Sequence, residues 1–148
     1  MKFSTRGRYS TRAMLDLACH GDNGPVLIKD IARRQDLSER YLEQLFIPLR
    51  VAGLIKGIRG AKGGFKLIKP PQEIKLREIV QATEGVITTS DCVHKPGICP
   101  RSDTCVVRNI WAEMQRAIDN VLESFTLEDL VDQQRERLSQ EDGSGQKN

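Results

Sequence analysis

With 148 residues, 39% of them hydrophobic, and a net charge of +3, the chain suffices for one ordinary domain or a small domain with an oligomerisation appendage. No repeat at a fixed period appears, no apolar run is long enough to span a bilayer, and the N-terminal MKFSTRGRYSTRAM lacks the apolar core of a secretory signal, so a cytoplasmic protein without a membrane partner is expected. The charge is divided: residues 1–69 carry fourteen Lys or Arg against six Asp or Glu, residues 70–148 nine against fourteen, which places the front half to meet a polyanion.

Tyr9 to His20 repeats its apolar residues at helical spacing (Ala13, Met14, Leu17, Ala18), and GDNGP at 21–25 ends the pattern. A second short helix is expected over Ile28–Gln35, with Ile31 and Ala32 inward. After a break at Asp36 and Leu37, Ser38 is placed to cap a third helix reaching about Val51. Two short helices joined by a tight turn read as a helix-turn-helix. In the third helix Leu42, Leu45, Phe46 and Leu49 form the inward stripe, while Arg40, Glu43, Gln44 and Ile47 recur at i, i+3, i+4, i+7 on another face. That stripe suits a major groove, with Arg40 reaching guanine or phosphate and Gln44 adenine; a solvated polar face is the plain alternative. A carboxylate among phosphates lowers affinity unless a cytosine amino group meets it, so Glu43 reads as a filter against wrong sequences. Pro48 removes one backbone hydrogen bond near the end of the helix and carries no direct function.

Leu54–Ile58 and Phe65–Ile68 are β-compatible runs flanking Arg59-Gly60-Ala61-Lys62-Gly63-Gly64, a glycine-rich hairpin tip. Lys56, Arg59, Lys62 and Lys66 give this wing a cationic edge, and a tip arginine can enter a narrow minor groove. The glycines lack the spacing of a nucleotide-phosphate loop. Helix-turn-helix and basic wing in series point to double-stranded DNA through Ser38, Arg40, Glu43, Gln44, Arg59 and Lys62.

Pro70-Pro71 closes the wing, and Leu76–Thr83 supplies a short helix before Glu84-Gly85. Farther on, Thr104 is placed to cap a long helix whose apolar residues fall at Val107, Trp111, Met114, Ile118, Val121 and Phe125, widened by Ile110 and Leu122. The steps alternate four and three, a heptad pattern suited to a partner helix. A homodimer is expected, because helix-turn-helix proteins read two half-sites about one DNA turn apart; packing against the chain's own front half is the alternative. A last helix capped by Thr126 takes in Leu127, Leu130, Val131 and Leu138.

The expected fold is mainly α with a small β-hairpin wing. A winged helix-turn-helix fills residues 1–70, a linker helix and cysteine loop 71–104, a dimerisation helix and C-terminal helix 105–139, and a disordered tail 140–148.

Three of the four cysteines, Cys92, Cys99 and Cys105, stand in or beside one loop among Pro96, Gly97 and Pro100, spaced C-x6-C-x5-C. Cys19 belongs to an apolar helix pattern and reads as a small buried hydrophobe. In a reducing compartment closely spaced thiols are more often metal-binding or redox-active than structural. Zinc sites favour closer pairs, whereas an iron-sulfur cluster tolerates wider spacing; a cluster, a thiol-disulfide or sulfenate switch, zinc and a plain structural loop all remain open. Cys105 also lies where a helix dipole favours an anion. A fourth ligand would have to come from Asp91 or His94 in the loop, from Asp103 or Glu84 nearby, or from a partner subunit. Neither a C-x-x-C pair nor a Ser/His/Asp set is present to support an enzyme.

STRGRYSTRAMLDLA at 4–18, YLEQLF at 41–46, RGAKGGFKL at 59–67, the three-cysteine loop and Trp111 soon after it carry a resemblance to the IscR-type winged-helix iron-sulfur regulators of bacteria, among whose relatives are the nitric oxide sensor NsrR and the cysteine-metabolism regulator CymR. The resemblance covers Met1 to about Leu138. It implies a homodimeric repressor or activator that binds promoter DNA, meets iron-sulfur assembly proteins, and carries a 2Fe-2S cluster on Cys92, Cys99 and Cys105 to report cluster status. It also implies DNA-reading roles for Arg59, Glu43 and Gln44, with Glu43 discriminating. A CymR-like regulator without a cluster, or a thiol or nitric oxide sensing repressor, is the alternative. Two departures stand out. The enterobacterial pattern has one residue fewer between the first two cysteines and a histidine ligand three residues after the third, where this chain has Arg108, which stays protonated and cannot ligate. The N-terminal carboxylate of NsrR-like proteins is unmatched at residues 6–9, leaving His94 as the first candidate for the fourth ligand.

Overall fold

The computed structural model describes residues 2–145. Helix α1 runs Thr5–His20, α2 Ile28–Gln35 and α3 Glu39–Val51; strands β1 (Ile55–Ile58) and β2 (Gly64–Leu67) form the wing. A 3-10 turn at Pro71–Glu73 leads into α4 (Leu76–Glu84), a one-turn α5 (Asp91–His94) and a 3-10 turn at Pro96–Ile98, followed by α6 (Val106–Ser124) and α7 (Leu127–Ser144).

Helix α1 starts four residues earlier than its apolar pattern, because Ser4 caps it and the Glu84 carboxylate accepts from Ser4 N (2.9 Å) and Gly7 N (3.2 Å). Both groups satisfy amide donors that a helix start leaves orphaned. The α2–α3 turn is set by Asp36, a left-handed residue at φ 55°, with Leu37 N returning to Ala32 O at 2.9 Å. Aspartate tolerates this region better than most residues with a side chain. Ser38 Oγ then accepts from Tyr41 N at 3.1 Å and starts α3, as its position in the sequence predicts.

In the wing Ile55 pairs with Leu67, Lys56 with Lys66, Gly57 with Phe65 and Ile58 with Gly64. Val26 and Phe65 exchange both backbone hydrogen bonds, so the hairpin is stitched to the α1–α2 connection. Gly64 makes this close approach possible: at φ 146°, a Cβ there would lie 2.5 Å from Val26 O.

The core is built from Met14 and Leu17 of α1, Ile31 of α2, Leu42, Leu45, Phe46 and Leu49 of α3, and Leu54 and Ile55 at the wing. Phe46 meets Phe65 edge-on at 4.8 Å between ring centres, which pins the wing to α3. The same core takes in Ile74 and Ile79 around α4 and Leu127 and Val131 of α7. A boundary at residue 70 therefore divides the sequence but not the core. Burial of each such side chain contributes about 1.5–3 kcal/mol, so α4 and α7 stabilise the winged helix directly. Backbone bonds from Leu76 N to Phe125 O (2.9 Å) and Leu127 N to Ile74 O (2.8 Å) lock the α6–α7 corner against the start of α4.

Two expectations for the back half change. Cys105, not Thr104, is the N-cap residue of α6, and Thr104 N is instead turned back onto Arg101 O. Helix α7, capped as expected by Thr126 accepting from Asp129 N (3.2 Å), continues through Ser144, so residues 140–144 are helical where a disordered tail is expected. Residues 146–148 of that expected tail lie outside the described residues. None of the described helices is long and apolar enough to cross a membrane.

Candidate nucleic-acid interface and cysteine loop

The α3 stripe lies on the surface. Ser38, Arg40, Glu43, Gln44 and Ile47 are all exposed, and among the described residues the side chains of Arg40, Glu43 and Gln44 make no hydrogen bond or ion pair within the chain. Ser38 spends its oxygen on the helix start, which leaves its O–H free to donate outward. On the wing Arg59 and Lys62 are exposed at the tip, and Lys56 stands directly opposite Lys66 across the hairpin. Like charges facing each other in a cross-strand pair destabilise a sheet, and a polyanion laid along that edge would relieve the repulsion. The cations of α1 continue the charge: Arg6 and Arg8 are exposed on its first turns.

Behind α3, Asp16 is buried in α1 and accepts from Arg34 Nε (2.9 Å), Arg34 Nη2 (2.7 Å) and Gln35 Nε2 (2.9 Å). The hydrogen bond to Asp16 holds the Arg34 guanidinium above its ordinary pKa. This pair fixes α2, the first helix of the helix-turn-helix, against α1. Sequence reasoning missed it, although one aspartate amid Met14, Leu15, Leu17 and Ala18 is the visible signal of a buried charge seeking an arginine.

The cysteine loop hangs between α4 and α6. Gln115 of α6 accepts from Thr89 N (2.8 Å) and donates to Ile87 O (3.0 Å) and Asp119 Oδ1 (3.1 Å), while Thr89 Oγ1 donates to Trp111 O at 2.8 Å. Arg77 of α4 reaches Asp119 (3.2 Å) and Glu123 (3.5 Å), so one polar network joins the loop's start, α4 and α6. Within the loop, Ser102 Oγ donates to Pro96 O at 2.5 Å, and Ser90 Oγ lies 2.9 Å from Cys92 Sγ. Arg108, standing where the resemblance implies a histidine, donates from Nε to Cys92 O at 3.1 Å and braces the loop instead of ligating.

Cys92, Cys99 and Cys105 are free, half-buried thiols. Among the described residues no three His, Cys, Asp or Glu side chains converge closely enough to hold a single metal ion. A two-iron cluster distributes its ligands over two metal atoms and takes wider spacing, and three soft thiolates suit iron, so the donor chemistry fits such a group with one coordination position left to fill. Glu84 is committed to Ser4 and Gly7. His94 is exposed and lines a polar groove with Gln115, Asp119 and Arg77. Two residues apart in the single turn of α5, His94 and Cys92 project from opposite sides of it. Cys19 stands apart, packed at the edge of the core, where burial pushes its thiol pKa up against the pull of Arg135.

Of the heptad residues on α6, Val107, Trp111, Met114 and Val121 are exposed, as are Ile110 and, just past the helix end, Phe125; Ile118 is half-buried, and Leu122 alone of the apolar stripe is buried. The stripe is therefore not consumed by the chain's own front half.

A family model described as an iron-dependent transcriptional regulator, Rrf2, matches residues 3–133. The protein rrf2 of Nitratidesulfovibrio vulgaris is 44% identical over 131 residues, spanning 88% of this chain and 87% of that protein. Among solved structures, T. potens IscR superposes with a TM-score of 0.76 at 40% identity, covering 93% of this chain and 90% of its own. CymR, the global cysteine regulator of B. subtilis, also reaches 0.76 at 40% identity, covering 89% and 97%. The match runs from the first turns of α1 into α7 and takes in helix-turn-helix, wing, cysteine loop and α6: the chain belongs to the Rrf2 family of transcriptional regulators, DNA-binding proteins and not enzymes.

Proposed function

We propose that this regulator is a cytoplasmic homodimer that binds promoter DNA through α3 and the wing and senses iron-sulfur status through a 2Fe-2S cluster on Cys92, Cys99 and Cys105. The observation that carries the reading is the position of the three thiols. They stand in a loop tied by Gln115 and Thr89 to α6, whose apolar face is exposed, and Gln115 and Asp119 of α6 connect in turn to Arg77 of α4, which packs on the DNA-binding core. Similarity to an IscR supports the cluster, and membership of a family described as iron-dependent transcriptional regulators supports iron dependence.

When bound, the cluster would supply a reversible crosslink among three thiolates that forms or breaks with iron and sulfide supply. The chain's own residues do the rest. Arg108 holds the backbone at Cys92, and Gln115 holds the loop's entry on α6. Arg40 and Gln44 meet bases or phosphates, Ser38 donates to a phosphate, Glu43 rejects sequences that offer its carboxylate no amino donor, and Arg59 and Lys62 carry the wing onto the backbone. Ordering of the loop shifts the population of α4 and α6 arrangements and so the operators that bind. Iron-sulfur assembly proteins are the natural partners of such a site.

Anaerobic purification with iron and sulfide assay, followed by operator binding with and without the cluster, tests the reading. Bound iron and sulfide with different operator affinity in the two states is expected; colourless protein, or equal affinity on every operator, overturns the cluster-sensing part. A second reading has its own support: Ser90 already contacts Cys92, the three thiols do not converge, and CymR is as similar as IscR. In that case the chain is a regulator without a cluster whose thiols respond to oxidants or nitric oxide, and reversible loss of titratable thiols on mild oxidation is its signature.

A further inference from the structure

The α3 stripe contains one residue that neither charge nor hydrogen bonding explains. Ile47 is 51% exposed in line with Arg40, Glu43 and Gln44, and it lines an open groove between α3 and β1 with Val51 (84% exposed) and Ile68 (48% exposed). Single exposed apolar side chains are commonplace, but three on one groove mark a contact surface. The rim of this groove carries Arg50 and Lys56. An apolar floor between two cations suits a duplex better than an apolar protein face: phosphates meet the rim, and one base, thymine, presents an apolar group to the major groove.

Distances along α3 place the contact. Ile47 lies three residues beyond Gln44, about 4.5 Å along the helix axis at 1.5 Å per residue, which is roughly one base-pair step. We propose that Ile47 is a specificity-determining residue that reads the C5-methyl of a thymine, about one base-pair step from the base that Gln44 contacts. The proposal rests on α3 being the recognition helix and adds a preference that no charged or hydrogen-bonding residue of the stripe can impose.

The experiment takes the full-length chain and a duplex selected from a random-sequence library for tight binding. Each thymine is replaced singly by deoxyuridine, which removes the methyl and leaves base pairing intact, and affinity is read by fluorescence anisotropy at one fixed salt concentration. For the unaltered chain, one thymine per half-site is expected to lose about fourfold in affinity as deoxyuridine, the worth of one buried methyl-sized group. In Ile47→Ala, whose far-UV circular dichroism is checked first, that position should become indifferent while all others keep their pattern. Indifference of the unaltered chain to every deoxyuridine, or the same loss in Ile47→Ala, overturns the role of Ile47 with the recognition-helix reading intact. If Arg40→Ala and Gln44→Ala leave selected-duplex binding unchanged, the recognition-helix reading itself falls and takes this proposal with it.

Discussion

The carboxylate of Glu84, the last residue of α4, accepts the amide of Gly7 at 3.2 Å in the first turn of α1, and Gly85 immediately afterwards opens the cysteine loop. The residue that ends the linker helix therefore also caps the helix that carries Arg6 and Arg8. A Cβ at position 7 would collide with the Glu84 carboxylate, which makes the glycine a requirement of the contact.

Glycine to alanine inside a helix ordinarily stabilises by about 1 kcal/mol. Gly7→Ala should gain nothing here, because it displaces Glu84 from the helix start, whereas Glu84→Ala should cost about 1–2 kcal/mol. In the Glu84→Ala background the same Gly7→Ala change should recover its ordinary gain. Urea unfolding of the four proteins closes the cycle, and a full gain from Gly7→Ala alone would refute the contact.

Asp16 presents a heavier dependence. Its side chain is 1% exposed against 27% for Arg34, so Asp16→Ala leaves a partly buried guanidinium without its acceptor, at a cost of about 3 kcal/mol. Asp16→Asn, which keeps an acceptor, should lose less. Unfolding midpoints in urea compare the two, and equal losses would mean that a neutral acceptor contributes nothing and the carboxylate charge carries the whole pair.

Acid sensitivity should reside partly at Glu78. Burial alone would raise its pKa, but Lys69 Nζ at 2.7 Å, the Lys75 amide at 2.9 Å and the two lysine charges outweigh it and hold the carboxyl below its ordinary value. A depressed folded-state pKa contributes stability above the unfolded value near ~4.3, and that stability disappears as pH falls through the folded value. The side chains are more than one third exposed, so the effect is screened and small. Stability measured from pH 7 to pH 3 should fall less steeply for Glu78→Gln than for the unaltered chain; parallel curves would exclude Glu78.

Arg108 braces the loop at Cys92 O. Arg108→Ala should raise the alkylation rate of Cys92 in reduced, metal-free protein several-fold, with unchanged circular dichroism. Arg108→His restores the imidazole that the IscR-type pattern places three residues after the third cysteine, and reconstituted protein should then retain more iron and sulfide in air. Equal retention would mean that an imidazole at position 108 completes no coordination in this chain.

The exposed stripe of α6 predicts a concentration-dependent dimer. Met114, 43% exposed, sits in the middle of it, so Met114→Glu should leave the monomer folded and lower the mass seen in sedimentation equilibrium to that of one chain. An unaltered dimer would place the interface on another face.

Local patterns were legible because they depend on near neighbours in the chain. Ile28–Gln35 is a helix as its spacing indicates, Ser38 caps α3, the four inward residues Leu42, Leu45, Phe46 and Leu49 are all buried, and the glycine-rich tip joins two antiparallel strands. The winged helix-turn-helix, the exposed stripe of α3 and the exposed heptad face of α6 follow from such periodicities. Helix α1 starts four residues before its apolar pattern because its cap includes a carboxylate eighty positions away, and Cys105 rather than Thr104 precedes α6 because Thr104 is used by the loop's own turn.

The sequence by itself determined which polar side chains α3 presents to solvent and that three thiols stand in or beside one loop, because side-chain chemistry and helical spacing are properties of the chain alone. Only the tertiary structure decided that α4 and α7 complete the core of the front half. It also decided that Asp16 belongs to Arg34, that Glu84 holds α1, that Arg108 serves the loop's backbone, and that His94 lines one groove with Gln115 and Asp119. The reason is physical: each of these pairs residues far apart in sequence, and a carboxylate or guanidinium finds its partner only once hydrophobic packing has brought the helices together.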